Sequence, residues 1–516
     1  MTFLLTATFI LGAVIAGVYF FIKRIYSYWC RKGVEYIEPD FFYGNIKEMV
    51  HGKISTGGLF KKFYDDLKSR GLKYGGCYTF FSPVLILVDL DLIKNILLKD
   101  FDNFINRGMY YNEKMDPLSA HLFSLEDERW KNLRAKLTPT FTSGKLKMMF
   151  PTLVACSFGL EDVLSEYSVI QDAVDIKEVC SRYATDAIGS VAFGIDCNSL
   201  KNPDSEFRQW GKQMFKGGIK GIIKAITLMT LSNSFLNAIN FKITSKSTED
   251  FVTNMVRETM EYREKNNVYR KDFMHLLLQL KNRGEVTEDA SIIKEGSKSK
   301  GSDTLSFNEI AAECLVFFVA GYESSATNMT FTLLELALNQ DIQDNLREEI
   351  NTVLKKHDMQ FTYDSIMEMK YLEKVVDESL RKHSAGTIIT RICNKPYTIP
   401  GTKVVIEKGT AVHVPVSGIH HDPEYYPDPD KFDPERFNKE NKAARHPFAY
   451  MPFGEGPRMC IGARYGLLQS KVGISAIIKN FKVTLNDKTR TPIRYAKTGI
   501  IPRIEGGVWL NVTKIQ

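Results

Sequence analysis

The chain has 516 residues, of which 44% are apolar, 12% aromatic and 25% charged. These proportions are typical of a folded globular protein and exclude a disordered chain, a collagen-like fibre and a multi-span membrane protein. The 68 basic and 61 acidic residues leave a net charge of +7. No basic stripe is interleaved with aromatic residues, so nucleic acid is not an expected partner. The mild basic excess fits an anionic membrane surface or an acidic protein.

The N-terminus predicts a membrane anchor. Residues 3–22 form a run of 20 residues without a charge, long enough at about 1.5 Å per residue to cross a ~30 Å hydrocarbon core. Basic residues follow at once and none precedes the run, so the body of the protein is expected on the cytosolic side. The alternative is a cleaved signal peptide, which favours a basic start and a shorter apolar run. The basic residues are Lys23, Arg24, Arg31 and Lys32.

Behind the anchor the pattern predicts a mainly α fold with a small β component. Residues 78–88 are typical of strands, with a hairpin turn at Ser82-Pro83, and the periodicity of residues 126–194 is mainly helical. The segment Lys216–Ile239 is basic and amphipathic, which leaves open a membrane-surface contact or a core helix pair. Residues 294–303 have the composition of a linker.

A long helix is predicted from Leu305 to Asn339, opened by the capping-box residues Ser306 and Glu309. Because it is apolar nearly all round, it should cross the interior of the protein. Residues 396–457 are dense in Pro, Gly, Asp and His, which favours short strands and loops. No boundary divides the body. The predicted organisation is an anchor at 1–22, a linker at 23–45 and one catalytic domain at 46–516.

The cysteines show no Cys-x-x-Cys spacing, which argues against zinc ribbons and thioredoxin-type redox motifs. Scattered cysteines in a long chain are expected to be reduced and mostly buried thiols. They are Cys30, Cys77, Cys156, Cys180, Cys197, Cys314, Cys393 and Cys460.

Cys460 differs from the others because it lies in a glycine-rich loop that opens a helix. Gly454 and Gly456 allow tight turns with positive φ, and Gly462 lets the following helix approach a flat cofactor. Backbone N–H groups and the helix N-terminus increase thiolate character. Arg458 places a cation beside the thiolate or a cofactor carboxylate. An inert buried cysteine is the alternative interpretation.

Residues 453–462 match F-x-x-G-x-R-x-C-x-G at every fixed position, and here the chain resembles the cytochrome P-450 superfamily. The resemblance extends from the anchor nearly to the C-terminus. It is greatest to the microsomal clan that contains drug-oxidising enzymes and thromboxane synthase. It implies haem b, with Cys460 as the axial ligand of the iron and Phe453 and Arg458 beside it.

Other blocks follow in the order expected of that family. Trp130 and Arg134 match W-x-x-x-R, whose residues hold a haem propionate in the family, and Arg391 lies where another propionate-binding arginine is usual. Glu378 and Arg381 match E-x-x-R, and the resemblance implies that they form a structural charge network with Arg436.

The long helix carries Ala320-Gly321-Tyr-Glu323-Ser324, close to the family pattern A-G-x-[D/E]-T. The resemblance implies that the small pair leaves room for a diatomic ligand above the iron, and that Glu323 and Ser324 relay protons. Ser324 replaces the usual threonine, so the hydroxyl is kept while the methyl group that restrains its rotamer is lost. Ordinary helix packing around small residues is the alternative.

The chain also departs from the family pattern. Only Pro39 remains of the proline-rich hinge after the anchor, and residues 382–386 replace the usual paired prolines. Both changes affect backbone rigidity and not haem ligation. His420-His421 is expected to be a solvated pair and not a metal site.

The resemblance implies a monooxygenase that places one oxygen atom from O2 into an apolar lipid, steroid or xenobiotic. Electrons would come from NADPH through a membrane-bound flavin reductase, and a cytochrome b-type donor is a further possible partner. The expected location is the endoplasmic reticulum membrane, with a single span and a cytosolic catalytic domain, so the sequon at Asn511 should stay unglycosylated. Residues 107–125 and 206–240 are expected to line the substrate entrance.

Two other functions remain open at this stage. A haem-thiolate isomerase that rearranges a peroxide needs neither a proton relay nor a reductase, and the unusual Ser324 is compatible with it. A haem sensor or carrier without turnover would keep Cys460 without needing the small pair at Ala320 and Gly321.

Overall fold

The computed structural model describes residues 2–215, 219–286, 304–499 and 501–515. The predicted linker at residues 294–303 lies outside them. The first half of the chain contains α1 (Thr2–Tyr26), α2 (Tyr28–Arg31), α3 (Lys47–Val50), α4 (Thr56–Ser69), α5 (Leu90–Lys94), α6 (Asp127–Leu137), α7 (Ser143–Ile170), α8 (Ile176–Ile188), α9 (Glu206–Phe215) and α10 (Ile219–Thr230).

The second half is also mainly helical, which confirms the predicted fold class. It contains α11 (Asn233–Ala238), α12 (Lys246–Asn266), α13 (Phe273–Arg283), α14 (Phe307–Leu338), α15 (Gln340–Lys355), α16 (Tyr363–Glu368), α17 (Lys370–Lys382), α18 (Val416–His420), α19 (Lys439–Ala444) and α20 (Ala463–Asn480).

The strands are short and form small sheets at the edge of the helical body. Within the described residues the sheet orders are β1-β2-β7-β4, β3-β9-β8 and β5-β6. Among these strands of the described ranges, β2 and β7 form the one parallel pair. The strands are β1 (Tyr74–Thr79), β2 (Ser82–Leu87), β3 (Val174–Asp175), β4 (Ile389–Ile392), β5 (Tyr397–Thr398), β6 (Val405–Ile406), β7 (Ala411–Val414), β8 (Phe481–Leu485) and β9 (Trp509–Lys514).

The predicted hairpin exists, but its turn is not at Ser82-Pro83. Both of these residues belong to β2, and the turn lies at Phe80 and Phe81. Phe80 takes a positive φ of 50°, a conformation that bulky residues rarely adopt. Pro83 is tolerated at the start of β2, where its missing N–H group costs no ladder hydrogen bond.

Helix α14 forms the centre of the larger core cluster, as its apolar character predicts. Its capping box is formed as expected: the Ser306 hydroxyl accepts from the Glu309 N–H at 3.3 Å, and the Glu309 carboxylate accepts from the Ser306 N–H at 2.8 Å. Helices α8 and α20 pack against α14 on different sides: Gly321 lies against Ile188 of α8, and Ser325 lies beside Gly466 of α20.

Helix α1 projects from the body with its apolar side chains exposed. Only 6% of the most apolar 18-residue stretch of α1 is buried. The corresponding share is 44% for α7, a core helix of similar length. The body begins at Ile22, which is 3% exposed. After it, Trp29 donates from Nε1 to the Cys77 carbonyl oxygen at 3.0 Å, and Tyr36 bridges to Gly76. Contacts to β1 therefore hold this segment where a proline-rich hinge is absent.

The segment Lys216–Ile239 does not form a buried helix pair. Residues 216–218 are outside the described residues, and the rest of the segment forms α10 and α11. Side chains that a core would bury are exposed here, which favours the membrane-surface interpretation of the sequence. They include Ile223 at 58%, Phe235 at 51% and Ile239 at 51%.

Candidate active site

The loop before α20 presents the thiol of Cys460. Gly454 and Gly456 have φ values of 74° and 76°, and a Cβ atom at Gly456 would lie 2.0 Å from the Leu97 carbonyl oxygen. Glycine is therefore required there on two grounds. The loop closes through a hydrogen bond of 3.0 Å from the Cys460 N–H to the Phe453 carbonyl oxygen. Cys460 lies three residues before Ala463, the first residue of α20.

Cys460 is exposed although protein surrounds it on most sides, as expected at the bottom of a cleft. Desolvation raises the pKa of its thiol overall, and the Gly462 N–H group and the positive charges of Arg134 and Arg107 offset part of that rise. Donors and cations near a sulfur stabilise the thiolate, which is the form that ligates a metal. The loop thus combines an accessible position with groups that stabilise a negative sulfur.

Three arginines converge beside the loop: Arg107, Arg391 and Arg458. Arg391 and Arg458 are only 3% and 2% exposed. Nε of Arg391 and both Nε and Nη1 of Arg458 are buried without a hydrogen-bond partner. Desolvation and mutual repulsion lower the pKa of Arg458 to about 8, and the same causes lower that of Arg391 to about 9.

Buried cations are normally paired, because an uncompensated charge in a protein interior is costly. Among the described residues no carboxylate forms an ion pair with Arg107, Arg391 or Arg458. Glu126 and Asp127 act on Arg458 only from beyond ion-pair distance, and the two propionates of a haem would supply negative charge in direct contact. The residues present therefore fit the cofactor that the sequence predicts.

Trp130 and Arg134 on α6 lie on the same side of the loop. The Arg458 guanidinium lies over the Trp130 ring at 4.0 Å from its centroid, and Arg134 donates to the Met459 carbonyl oxygen at 2.9 Å. Trp130 thus contacts the buried arginine directly. Stacking on an aromatic face stabilises the guanidinium and restricts its orientation.

The opposite wall of the cleft is a stripe on α14. In the middle of this otherwise buried helix Ala320 is exposed, and Val316, Phe317 and Ser324 are partly exposed. Their spacing of three or four residues puts them on one helix face, so this face borders open space. Gly321 has a different function: a Cβ atom there would lie 2.8 Å from Cδ1 of Ile188. Of the predicted small pair, Ala320 faces the space and Gly321 permits packing of α8.

The predicted proton-relay residues lie next to each other but have different partners. Ser324 donates from Oγ to the Ala320 carbonyl oxygen at 2.6 Å. Glu323 is 5% exposed and pairs with Lys177 of α8 at 2.9 Å, and Lys177 also donates to Thr327 at 2.8 Å. The structure thus adds Lys177 to this pair of residues.

Comparison with known proteins decides the family. A family model described as Cytochrome P450 matches residues 39–510. The chain is 41% identical to the probable cytochrome P450 6a23 of Drosophila melanogaster, over 100% of both chains. It is 39% identical to cytochrome P450 6a2 of the same organism, over 98% of this chain and 99% of the relative. It is 38% identical to cytochrome P450 6A1 of Musca domestica, over 98% and 97%.

The chain belongs to the cytochrome P450 family. It is accordingly a monooxygenase that uses haem with a cysteine thiolate ligand, and electrons reach such enzymes from NAD(P)H through redox partners. The predicted family, enzyme class and cofactor are confirmed.

The charge network of this cytochrome P450 is assembled from E-x-x-R and a distant arginine. Arg381 donates to both oxygens of Glu378 at 2.7 and 2.9 Å, and both side chains are fully buried. Arg436 lies 3.4 Å from Glu378, and Arg381 also donates to the His420 carbonyl oxygen at 2.9 Å. This buried charge network holds α17 against the segment before the cysteine loop.

His420 is not solvated, so this part of the sequence prediction is wrong. It is 0% exposed, and its Nε2 accepts from the Met451 N–H at 2.9 Å. Burial lowers its pKa to about 3, so the ring is neutral and can act as an acceptor. His420 therefore supports the chain just before the cysteine loop. No cluster of metal-binding side chains occurs among the described residues.

Arg107 was predicted only as the start of the entrance segment. In the structure it donates from Nη2 to the Arg458 carbonyl oxygen at 2.9 Å and from Nη1 to that of Phe123 at 3.1 Å. Desolvation lowers its pKa to about 10. In the sequence, the only feature that distinguishes Arg107 from other arginines is its position between Asn106 and Gly108. That feature does not indicate a partner 351 residues away.

The two predicted entrance segments do meet. The hydroxyl of Tyr110 lies within hydrogen-bond distance of two carbonyl oxygens, that of Leu236 inside the second segment at 3.3 Å and that of Phe241 just beyond its end at 2.8 Å. Asp116 accepts from the N–H groups of Ile243 and Thr244, both at 2.8 Å. The 107–125 segment is thereby tied to the chain that leads into α12.

Proposed function

We propose that the protein is a membrane-anchored haem-thiolate monooxygenase in which Cys460 is the axial ligand and apolar molecules are the substrates. The observation that carries the proposal is the set of buried arginines without carboxylate partners beside the accessible Cys460. When bound, haem supplies the activation of O2 and the transfer of one oxygen atom. The protein supplies the ligand, the orientation of the cofactor and the protons.

The residues around the cysteine loop would hold the cofactor. Cys460 contributes the thiolate, which the Gly462 N–H group stabilises. Arg391 and Arg458 would neutralise the propionates, and Trp130 holds the Arg458 guanidinium in place. Arg134 fixes the loop through Met459, and Phe453 closes it as the acceptor for the Cys460 N–H.

Ser324 and Glu323 are proposed to deliver protons on the open side of α14. Glu323 is buried and paired with Lys177, whose side chain is 24% exposed and so reaches solvent. A proton can therefore pass from solvent to Lys177 and Glu323, and the Ser324 hydroxyl lies one residue further on. Positioned proton transfer of this kind is the main chemical task left to the polypeptide.

Electrons are proposed to come from NADPH through a flavin reductase, with a cytochrome b-type donor as a second source. The docking face is the basic surface of α6 and the start of α7, which lies beside Arg134 and hence beside the cysteine loop. Its lysines are Lys131, Lys136, Lys145 and Lys147. Lys131 and Lys147 pair with exposed carboxylates of the same surface, Glu128 and Asp364, and such pairs are weak and screened by salt.

Reversing the charge of these four lysines is expected to reduce NADPH-driven turnover several-fold at low salt while sparing turnover driven by added peroxide. Charged surfaces act mainly on the association rate of protein partners. The control is the charge reversal of Lys482 and Lys514, which lie near the C-terminal end of α7, where Lys514 contacts Glu161 and Ser168; this is about 20–35 Å along the helix from Lys145 and Lys147 at 1.5 Å per residue. Equal loss in both assays would show damage to the haem site instead.

The location is proposed to be the endoplasmic reticulum membrane, with a single span and the catalytic domain in the cytosol. Residues 1–22 would be the anchor, 23–45 a connecting segment and 46–516 the catalytic domain. The exposed apolar side chains of α10 and α11 would touch the same membrane. On the cytosolic side Asn511, which lies in β9, would remain unmodified.

Deleting residues 2–21, and keeping the buried Ile22, is expected to release the protein from membranes without detergent only if α1 is the sole contact. If α10 and α11 also bind, the truncated protein will stay on the membrane at high salt. The further changes Phe235→Glu and Ile239→Glu will then release it. Membrane sedimentation with and without salt measures both. The double glutamate variant of the full-length chain is the control and should stay bound through α1.

The proposed activity is tested by incubation with a panel of lipids, steroids and xenobiotics, NADPH and a microsomal reductase. The expected result is a product heavier than its substrate by one oxygen atom, formed only with NADPH and reductase. Product without NADPH would favour the isomerase that rearranges a peroxide. Spectral binding of substrate without any product would favour a sensor or carrier.

A further inference from the structure

Glu313 is a buried acid that the reaction described above does not use. It lies on α14, two turns before Ala320 on the same face, and is 0% exposed. Its Oε1 accepts from the Leu122 N–H at 2.7 Å. Its Oε2 is buried without any hydrogen-bond partner. Glu313 is therefore the side chain through which α14 holds Leu122.

The segment around Leu122 is fixed on its other side by the haem arginines. The carbonyl oxygen of Phe123 accepts from Arg107 at 3.1 Å, and that of Leu125 accepts from Arg458 at 2.8 Å. Arg107 in turn donates to the Arg458 carbonyl oxygen at 2.9 Å. Residues 122–125 thus connect Glu313 on one side with both guanidinium groups on the other.

The protonation state of Glu313 suits this arrangement. Desolvation and the charge of Glu309 one turn earlier raise the pKa of its carboxyl group to about 8, although the hydrogen bond from the Leu122 N–H group lowers it in part. The acid is therefore mostly neutral at pH 7, and a neutral acid can remain in an interior where an unpaired carboxylate could not. Its carbonyl oxygen still accepts from Leu122. A glutamine at this position would offer the same acceptor at the same reach.

We propose that Glu313 is a positioning residue for the cofactor: it ties residues 122–125 to α14 and so holds Arg107 and Arg458 facing the haem propionates. The inference rests on the haem site proposed above and assigns this task to a residue that does not touch the cofactor. Without the acceptor, the Leu122 N–H group would be left buried and unsatisfied, and the segment would move to satisfy it. The carbonyl groups of Phe123 and Leu125 would move with it.

Two variants of nearly equal size test the proposal. Glu313→Gln keeps the carbonyl acceptor, whereas Glu313→Leu fills the same space without one. Two rates are measured for each variant in the haem-loaded, full-length protein. The first is hydrogen exchange of the peptide that contains Leu122, and the second is the transfer of haem to excess apomyoglobin. We expect Gln to behave as the native protein and Leu to accelerate both processes about tenfold, the effect of losing one buried hydrogen bond.

The proposal is overturned if the Glu313→Leu variant shows the native rates of hydrogen exchange and haem release. It is also overturned if Glu313→Gln accelerates both processes as much as Glu313→Leu does. If the Leu variant does not fold, Glu313→Asp takes its place, because its carboxyl group is one methylene further from Leu122 and the same acceleration is expected. Neither readout needs turnover. A native protein that fails to oxygenate any substrate would contradict the proposed function without affecting the result for Glu313.

Discussion

Cys460→Ser is expected to abolish the far red-shifted band of the ferrous carbon monoxide complex and to reduce oxygen insertion to background. The band reports an axial thiolate, and the thiolate donates electron density that favours cleavage of the O–O bond. A serine hydroxyl remains protonated at neutral pH, so neither the N–H group of Gly462 nor the nearby arginines can turn it into an equivalent ligand. The measurement is a difference spectrum of the reduced protein.

Cys30→Ser is the matched control, because Cys30 is the other exposed cysteine of this chain and lies in α2 beside the anchor. It should leave both the band and the turnover unchanged. A Cys460→Ser protein that binds haem and keeps the red-shifted band would contradict the assignment of Cys460. Loss of haem binding altogether would still agree with it, since the contacts of the arginines with the propionates would then be too weak to retain haem without an axial bond.

The parts of the site that the sequence predicts are those built from consecutive residues. The loop from Phe453 to Gly462 depends on positive φ values at Gly454 and Gly456, and glycines at fixed spacings reveal these turns. The capping box of Ser306 and Glu309 is equally local. The apolar character of α14 predicts its central position, because a helix without a polar face cannot lie on the surface.

The parts that the sequence does not predict are contacts between distant residues. Lys177 pairs with Glu323 across 146 positions, and Arg107 reaches Arg458 across 351. Neither residue is marked by a local pattern, because an arginine or lysine in a loop or helix is usually solvated. Only the packing of α8 on α14, permitted by Gly321, brings Lys177 to its partner.

The hairpin and His420 show how tertiary structure overrides local signals. Ser82-Pro83 is a common turn dipeptide, yet both residues pair with β1 and the turn falls on Phe80 and Phe81, which carry no turn signal. His420 follows the same logic. A histidine in a polar loop is usually solvated, but the ring of His420 is buried and its Nε2 accepts a hydrogen bond from the Met451 N–H group.

The second large effect is expected for Ser324→Ala. If the hydroxyl delivers protons, its loss should divert reduced O2 into hydrogen peroxide, so that NADPH is still consumed while product falls. Positioned proton transfer contributes about 10²–10⁴-fold, and a water molecule in place of the hydroxyl would move the effect to the lower end. The ratio of product formed to NADPH consumed measures this uncoupling.

Ser325→Ala is the matched control for that experiment. Ser325 is the next residue on α14, but its side chain is buried towards α20 and makes no hydrogen bond. Its loss should leave the coupling ratio at the native value. Ser324→Thr should equal or exceed the native protein, because the added methyl group restrains χ1 and the hydroxyl is kept.

The bond from Ser324 to the Ala320 carbonyl oxygen at 2.6 Å makes the result informative in either direction. In this orientation the hydroxyl donates to its own helix, so it must rotate before it can donate towards the open space. The neighbouring Glu323, held by Lys177, is the acid that we propose to return a proton to it. If Ser324→Ala uncouples no more than the native protein, Ser324 has no part in the mechanism and the path runs from Glu323 alone. If that variant also forms product without NADPH, the isomerase replaces the monooxygenase as the function of this chain.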